Sequence, residues 1–334
     1  MSTRTFRVGV LAYDECFGSE VFGFLDLLTM ANQVSLVVHG DAAPFEATVV
    51  SPRRRVVASG GITLGAQPMT PVDLLVVPGF ELVPTQDLDV RFEPLRREID
   101  AIRATADHGT AIASICVGAF LLGEAGLLDD RRATTAWLFA AALAARYPAA
   151  RVDSRALILH DDGITTTAAF SSTSDLAMEL IRERGGDEVA RITARITLVN
   201  DARTSQAPYI DDTIVAAPAV RFSDEAKRWL DDRADDTYRL AELAAAFHVS
   251  TRTMLRRFQA ETGESPLSYL QRVRVRRAKA LLETTDLRLG EVMSAVGYLD
   301  PGTFRRLFAE HTGVSPADYR RQFRRPSQRP EQIA

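Results

Sequence analysis

Cysteine is scarce in this chain and lysine is almost absent. Only Cys16 and Cys116 occur among the 334 residues. Two cysteines are too few for a disulfide framework, so we expect a reduced, cytoplasmic location. Lysine occurs only at Lys227 and Lys279, and the rest of the 40 basic residues are arginine. A bias of this kind can come from genome composition as easily as from function.

Several sequence signals are also missing. No apolar run approaches the roughly 18 residues that a membrane span needs. The amino terminus enters a strand-like stretch without the apolar core of a signal peptide. There is no HExxH, GxGxxG or P-loop motif. We therefore expect a chain with no membrane partner, no cofactor and no metal site.

The net charge of −4 conceals an asymmetry between the two ends of the chain. Residues 224–325 carry 19 basic and 15 acidic side chains, whereas the first 223 residues hold a net charge of −8. Within residues 250–325 the count is 15 basic against 8 acidic. An acidic body with a basic end indicates that only the end meets a polyanion.

The first 185 residues alternate apolar, strand-like stretches with segments of helical spacing. Residues 72–78 (VDLLVVP) read as a continuous buried strand, and residues 22–32 and 95–108 read as helices. Residues 157–161 and 164–168 predict a hairpin around Asp162-Gly163. The alternation predicts an α/β domain with a mainly parallel sheet and helices on both faces.

The remainder of the chain predicts a second domain that is all helix, since single cores rarely grow beyond about 250–300 residues. Residues 200–223 have two prolines and little periodicity, which is typical of a linker. We predict a first domain at 1–199, the linker at 200–223, a helical domain at 224–325 and a disordered tail at 326–334.

The helical domain repeats itself. Six residues recur fifty positions later, and they are Phe258, Thr262, Gly263, Ser265, Pro266 and Tyr269, matched by Phe308, Thr312, Gly313, Ser315, Pro316 and Tyr319. Two copies are fewer than the three that a solenoid needs. Two short helix pairs on a basic background instead predict a tandem helix-turn-helix reader of DNA, and a helical oligomerisation domain is the alternative.

Each predicted unit has the parts that a helix-turn-helix requires. Ser250 and Asp300 can cap the second helix of each pair, while Met254, Leu255 and Phe258 are expected to face inward. Early residues of such a helix meet base edges, and arginine suits guanine. The predicted DNA-binding residues are Ser250, Arg252, Thr253, Arg256, Gly302, Arg305 and Arg306, with Arg274 and Arg277 on the joining helix as phosphate contacts.

Residues 224–323 resemble the AraC/XylS transcription regulators. The resemblance rests on LAELAAAFHVSTRTMLRRFQAETGESPLSYLQRVRVRRAKALLE and VGYLDPGTFRRLFAEHTGVSPADYR. It implies two helix-turn-helix units that are rigidly joined and enter successive major grooves on one face of promoter DNA. RNA polymerase is a further candidate partner.

Cys116 follows a short predicted strand and precedes a predicted helix. A helix amino terminus favours thiolate, and such an elbow can carry a nucleophile. A small buried hydrophobic residue is the plainer interpretation of this cysteine.

The surrounding segment, ASICVGAFLLGEAGLLDDRRATTAW, resembles the DJ-1/PfpI superfamily, a class I glutamine amidotransferase-like domain with a flavodoxin-like fold. The resemblance covers residues 6–185. It implies that Cys116 is the elbow cysteine, Glu20 its acidic partner and Gly79 part of an oxyanion loop. The histidine that enzyme members carry is replaced by Ala136, beside Trp137.

A cysteine nucleophile needs a base within hydrogen-bond reach, and His160 is the remaining candidate. We therefore predict no catalytic residue and a ligand pocket formed by Glu20, Gly79, Cys116, Ala136 and Trp137. The predicted function is a sequence-specific transcription regulator, dimeric and responsive to an unspecified small molecule. The alternatives are an active amidase, hydratase or glyoxalase tethered to DNA, and a first domain that serves only as a dimerisation scaffold.

Overall fold

The computed structural model describes residues 4–40, 43–83, 87–200, 203–211 and 222–324. The chain divides into two compact units, Met1–Gln206 and Ala207–Ala334. The division falls within residues 200–223, which the sequence predicts as a linker. Residues 201, 202 and 212–221 of that segment lie outside the described residues, as does the predicted tail at 326–334.

The first unit alternates strands and helices, as predicted. Its elements are β1 (Phe6–Leu11), α1 (Gly18–His39), β2 (Phe45–Val50), β3 (Arg55–Ala58), β4 (Ile62–Gly65), β5 (Leu74–Val77), α2 (Leu88–Phe92), α3 (Arg96–Asp107), β6 (Ala111–Ser114), α4 (Ala119–Glu124), β7 (Arg132–Ala133), α5 (Ala140–Arg146), β8 (Arg151–Val152), β9 (Ile158–Asp161), β10 (Ile164–Thr167), α6 (Ser172–Gly185) and α7 (Asp187–Thr197). The helix predicted at 22–32 is longer at both ends, and the hairpin β3–β4 is an element that the sequence did not predict.

A six-stranded sheet organises this unit, in the order β2-β1-β5-β6-β10-β9. Five of the strands run parallel, and β9 pairs antiparallel with β10 to form the predicted hairpin. The connection from β1 to β2 and the connection from β5 to β6 run in opposite directions along the sheet. Right-handed crossovers therefore place α1 on one face and α3 on the other. In agreement, α1 packs with α6 and α7, and α3 packs with α4.

Helix α1 is apolar around most of its circumference. By length and composition alone it could cross a membrane, with a mean hydropathy of 1.6 over its most apolar window. The expectation that no stretch of the chain is long and apolar enough to span a membrane is therefore wrong for α1. Nine of its residues are nevertheless buried, and it packs against β2, α6 and α7, so it is also a core helix of this unit.

The second unit is all helix where it is described. Its elements are α8 (Phe222–Asp232), α9 (Leu240–Ala246), α10 (Thr251–Thr262), α11 (Pro266–Thr284), α12 (Leu289–Ala295), α13 (Pro301–Thr312) and α14 (Pro316–Phe323). One core, around Leu243, Met254 and Phe258, serves α8–α10, and another, around Val292, Phe304 and Phe308, serves α12–α14. Helix α11 contributes to both cores and joins the two helix pairs.

The sequence repeat is a repeat of hydrogen bonds as well. Ser250 and Asp300, as predicted, cap α10 and α13 by accepting from the amides of Thr253 and Thr303 at 3.2 and 2.5 Å. Both helices end at a glycine in the left-handed region, with φ of 76° at Gly263 and 79° at Gly313. The matched residues therefore fix where each helix starts and stops.

Arg274 is buried, which corrects its expected role as an exposed phosphate contact. It is 7% exposed. Its Nε and Nη2 groups donate to the carbonyls of Ala234 and Asp236 at 2.6 and 2.5 Å, and its guanidinium lies 5.1 Å from the ring centroid of Tyr298. Arg274 thus ties the loop before α9 to the turn before α13. Arg277 is similarly engaged, since it donates to the carbonyl of Asp231.

Candidate functional site

Three loops meet at the carboxyl edge of the parallel sheet. Glu20 follows β1 in the first turn of α1, Gly79 follows β5, and Cys116 follows β6. Oε2 of Glu20 accepts from the amide of Gly79 at 2.6 Å. A Cβ placed on Gly79 would lie 3.2 Å from Cβ of Cys116 and 3.2 Å from Oε2 of Glu20. The structure therefore brings these three predicted pocket residues together, at the edge where open parallel sheets bind ligands.

The elbow at Cys116 is enforced by a close backbone approach. A Cβ on Gly118 would lie 2.5 Å from the carbonyl oxygen of Val77 and 2.7 Å from that of Pro78, so only glycine fits. Cys116 has a φ of 54°, a conformation that few residues other than glycine adopt. Strain of this kind is found where a side chain must be held in one direction.

The carboxyl group of Glu20 is enclosed. It is 1% exposed, and its Oε1 atom has no hydrogen-bond partner among the described residues. Burial raises the pKa of Glu20 to about 8, against the opposing effect of the Gly79 amide. Glu20 is therefore mainly a neutral acid near pH 7, and it can donate a hydrogen bond from its free oxygen.

The Cys116 thiol differs from the thiolate that a helix amino terminus was expected to favour. Cys116 is 7% exposed, and burial, followed by the nearby charge of Glu20, raises its pKa to about 12. The backbone amides of Val117 and Phe170 oppose this shift but do not reverse it. Desolvation outweighs the helix terminus here, so the side chain is a protonated thiol and a poor nucleophile.

Ala136 and Trp137 follow Thr135, whose side chain contacts the backbone of the elbow. Oγ1 of Thr135 donates to the carbonyl of Cys116 at 2.8 Å. The amide of Trp137 donates to Oε1 of Gln206 at 3.1 Å. Ala136 is buried, and its methyl group cannot act as a base. Gln206 was missed by sequence reasoning because it lies in a segment whose composition predicts a linker.

His160, the histidine kept as a candidate base, is engaged elsewhere. It lies on β9 at the edge of the sheet, where its Nδ1 is 2.9 Å from Oγ1 of Thr165 and its Nε2 is 2.6 Å from Oε1 of Glu179. The ion pair with Glu179 raises its pKa. These contacts favour a surface ion pair over a base for Cys116.

Two clefts open elsewhere in the first unit. One of about 470 Å³ is lined by charged residues of α2, α3 and α4, among them Asp89, Arg103 and Glu124. The other, of about 590 Å³, lies before β5 and after α3, near Asp73 and His108. Neither is lined by Glu20, Gly79 or Cys116, and these three residues are buried, so the elbow is closed to solvent in this structure.

In the second unit, α10 presents a mixed face to solvent. Arg252 and Arg256 are exposed and form no hydrogen bond or ion pair with any described residue. Leu255, expected in the core, is 40% exposed and shares this face at helical spacing. Its expected inward position is wrong, because Met254 and Phe258 alone fill the core side of this stretch. Ser250 and Thr253 form the cap at its start.

Helix α13 presents the equivalent face of the second helix pair. Gly302, Arg305 and Arg306 are exposed. Arg305 has no partner among the described residues, whereas Arg306 lies 3.4 Å from Oε2 of Glu310 in an exposed pair. Leu299, just before the cap residue Asp300, is 88% exposed. Both helix pairs thus carry arginines and an exposed leucine near the start of their second helix.

Comparison with known families assigns both units. The DJ-1/PfpI family matches residues 14–183, and a helix-turn-helix domain matches residues 243–322. The first match covers half of the chain. The protein therefore belongs to the DJ-1/PfpI family, and its second unit carries a helix-turn-helix domain of the AraC type.

Curated relatives share both units. The chain is 25% identical over 322 residues to the HTH-type transcriptional regulator GbdR of Pseudomonas aeruginosa, which covers 94% of this chain and 83% of the relative. It is 27% identical over 280 residues to CdhR of the same species, covering 79% and 78%. It is 28% identical over 270 residues to Rv1931c of Mycobacterium tuberculosis, covering 77% and 97%. CdhR and Rv1931c are also named HTH-type transcriptional regulators.

The raised pKa of Glu20 predicts a pH-dependent stability. The folded pKa, about 8, lies above the ordinary value of 4.5, so folding retains a proton that the unfolded chain releases. The stabilisation is complete below the unfolded pKa and is lost as pH rises toward 8. Between about pH 5 and pH 8 we expect the free energy of unfolding to fall, relative to Glu20→Gln, by up to about 1.4 kcal/mol per pH unit.

Denaturant unfolding followed by Trp137 fluorescence, in a Trp229→Phe background, measures this difference for the first unit. The Glu20→Gln side chain keeps an acceptor for the Gly79 amide but does not titrate. Parallel pH profiles for the two chains would show that Glu20 is ionised in the folded state.

Proposed function

We propose that this protein is a sequence-specific transcription regulator that binds promoter DNA through α10 and α13 and senses a small molecule through its first unit. The observation that carries the proposal is the pair of matched helix-turn-helix units. In each of them, the second helix presents at least one exposed arginine that has no partner among the described residues. Helices of this kind enter the major groove, where arginine reads guanine. The regulators GbdR, CdhR and Rv1931c, which align with most of the chain, support it.

The structure separates two kinds of arginine in the proposed interface. Arg252, Arg256 and Arg305 are exposed and have no partner among the described residues, so they are available to base edges. Arg274 and Arg277 already donate to backbone carbonyls. We therefore assign base reading to the first group and a scaffolding role to the second, with Arg306 and the backbone at Gly302 completing the face of α13.

Replacing Arg256 with alanine tests the first recognition helix. Duplexes selected from random DNA with the full chain supply the operator. We expect Arg256→Ala to weaken operator binding by roughly 1–3 kcal/mol and to relax the preference at one or two base pairs. Arg321→Ala is the matched control, since Arg321 is also exposed but pairs with Asp318 on α14.

In contrast, Arg274→Ala should first lower the stability of the second unit, because buried carbonyls lose charged donors. Unchanged sequence preference in a folded Arg256→Ala chain would place the recognition face elsewhere.

Leu255 is proposed to read a thymine methyl group. It is exposed on the same side of α10 as Arg252 and Arg256, and apolar side chains recognise thymine through its methyl group. Replacing single thymines of the operator with uracil removes that methyl and nothing else. We expect one uracil substitution to weaken binding of the wild-type chain severalfold. The Leu255→Ala chain should be insensitive to it. Equal sensitivity of the two chains at every thymine would exclude this contact.

We further propose that the elbow binds a ligand without turning it over. The buried thiol has a raised pKa, Ala136 provides no base, and His160 is occupied by Glu179. The free oxygen of Glu20 is a donor that a ligand could use once the elbow opens. These features favour a sensor over the alternative, a DNA-tethered hydrolase or hydratase.

Assays with amides, isocyanides and methylglyoxal test the absence of catalysis. We expect no cysteine-dependent turnover above background, and we expect Cys116→Ser to keep the fold and operator binding. Ala136→His restores the missing base and serves as the control for a pocket that lacks only this group. Turnover by the wild-type chain that disappears in Cys116→Ser would establish an enzyme instead of a sensor.

A homodimer formed through the first unit is part of the proposal. The outer face of α1 exposes Phe22, Met30, Leu36 and Val37, between 40% and 87% each. Exposed apolar side chains on one helix face favour an interaction surface, and a second copy doubles the DNA contacts. Sedimentation of the full chain at micromolar concentration should show a dimer that Val37→Glu weakens; a monomer would exclude it. Contact with RNA polymerase on the promoter belongs to the same proposal.

A further inference from the structure

The last residues of the first unit form a strap, which we define as Arg203–Gln206. Gln206 is 3% exposed. Its side-chain Nε2 donates to the carbonyls of Thr135 and Ala156 at 2.9 and 3.2 Å, and its Oε1 accepts from the amide of Trp137 at 3.1 Å. Its own amide donates to the carbonyl of Arg155 at 3.0 Å. A glutamine whose amide group is satisfied on both sides is held in one position.

Arg203 anchors the other end of the strap. Its guanidinium forms an ion pair with Asp175, donating from Nε at 3.1 Å and also from Nη2. It donates as well to Oγ and to the carbonyl of Ser171, at 2.9 and 3.0 Å. The side chain of Asp175 is 5% exposed, so the pair is largely shielded from water. Such bidentate contacts fix geometry as well as charge.

Both ends of the strap are attached to segments that touch Cys116. On one side, Gln206 binds the carbonyl of Thr135, whose hydroxyl donates to the carbonyl of Cys116. On the other, Arg203 binds Ser171, which follows Phe170, and the backbone amide of Phe170 is one of the groups that lower the pKa of Cys116. The second unit begins at Ala207, the residue after the strap. Thr135 is therefore the one residue between Gln206 and Cys116, and Ser171 and Phe170 are the two residues between Arg203 and Cys116.

We propose that the strap couples the elbow to the DNA-binding unit, with Gln206 and Arg203 as positioning residues. This inference rests on the proposed function. A ligand that enters the closed elbow must displace the segments that carry Thr135 and Phe170. The strap loses its acceptors when they move, and the point from which the second unit is tethered changes. The strap then has two states, docked and released, and both the ligand and the operator shift the equilibrium between them.

Coupling between two sites is reciprocal, so operator binding must change the elbow. This allows a test without the effector. The probe is iodoacetamide, and the readout is the alkylation rate of Cys116 by mass spectrometry in the full chain carrying Cys16→Ala. The rate is measured with and without a saturating amount of the selected operator duplex. We expect the operator to change it about fivefold or more, the lower range of known couplings.

Two variants direct the test at the strap. Gln206→Met keeps the length of the side chain and removes its hydrogen bonds, and Arg203→Ala removes the other anchor. In both, the ratio of the two rates should fall to about one while saturated operator binding persists. Arg191→Ala is the matched control, an exposed arginine on α7 that pairs with Glu188, and it should keep the full ratio. A purely structural role for Gln206 would alter the rate equally with and without DNA.

The outcomes separate the coupling from the proposed function. If the Cys16→Ala chain binds the operator but its Cys116 is alkylated at the same rate with and without it, the coupling is refuted and DNA binding is not. A full ratio in Gln206→Met and Arg203→Ala would show that coupling bypasses the strap. Failure to select any duplex would refute the regulator itself, and the strap inference with it.

Discussion

A backbone contact at Gly118 determines the geometry of the first unit's site. A Cβ at position 118, in the turn after β6, would lie 2.5 Å from the carbonyl oxygen of Val77. No side chain is therefore tolerated at this position. The turn must then be completed one or two residues earlier, and Cys116 takes the left-handed conformation with a φ of 54°. That conformation directs Cys116 toward Gly79 and Glu20. The close packing of these strand ends also accounts for the burial of Glu20 and Cys116.

The second unit depends on a comparable constraint. A Cβ on Gly297 would lie 2.7 Å from the carbonyl of Asp235 and 2.9 Å from Nη2 of Arg274. The turn of the second helix pair is thus pressed against the loop before the first, with the Arg274 guanidinium between them. Charged donors to buried carbonyls are costly to lose. Arg274 therefore ties the first helix pair to the second through its contacts with Ala234, Asp236 and Tyr298.

Local patterns in the sequence predicted much of this fold. Apolar runs located the parallel strands, and the fifty-residue repeat located the caps at Ser250 and Asp300. The errors share a cause, which is that burial depends on distant partners. Leu255 fits the periodicity of either helix face, and only packing with Met254 and Phe258 decides between them. The burial of Arg274, the protonated Cys116 thiol and the docking of Gln206 each depend on residues far away in the sequence.

The composition of the strap explains why a functional element can resemble a linker. Polar residues without periodicity cannot build an apolar core, which is why such stretches are predicted as linkers. The same groups can satisfy carbonyls that β-strand pairing leaves free, as Gln206 does at Thr135 and Ala156. Contacts of this kind release more readily than a packed core, because water replaces a hydrogen-bond partner but does not replace an apolar neighbour. A polar strap between a closed pocket and a DNA-binding unit is therefore suited to be the first element that moves when the pocket opens.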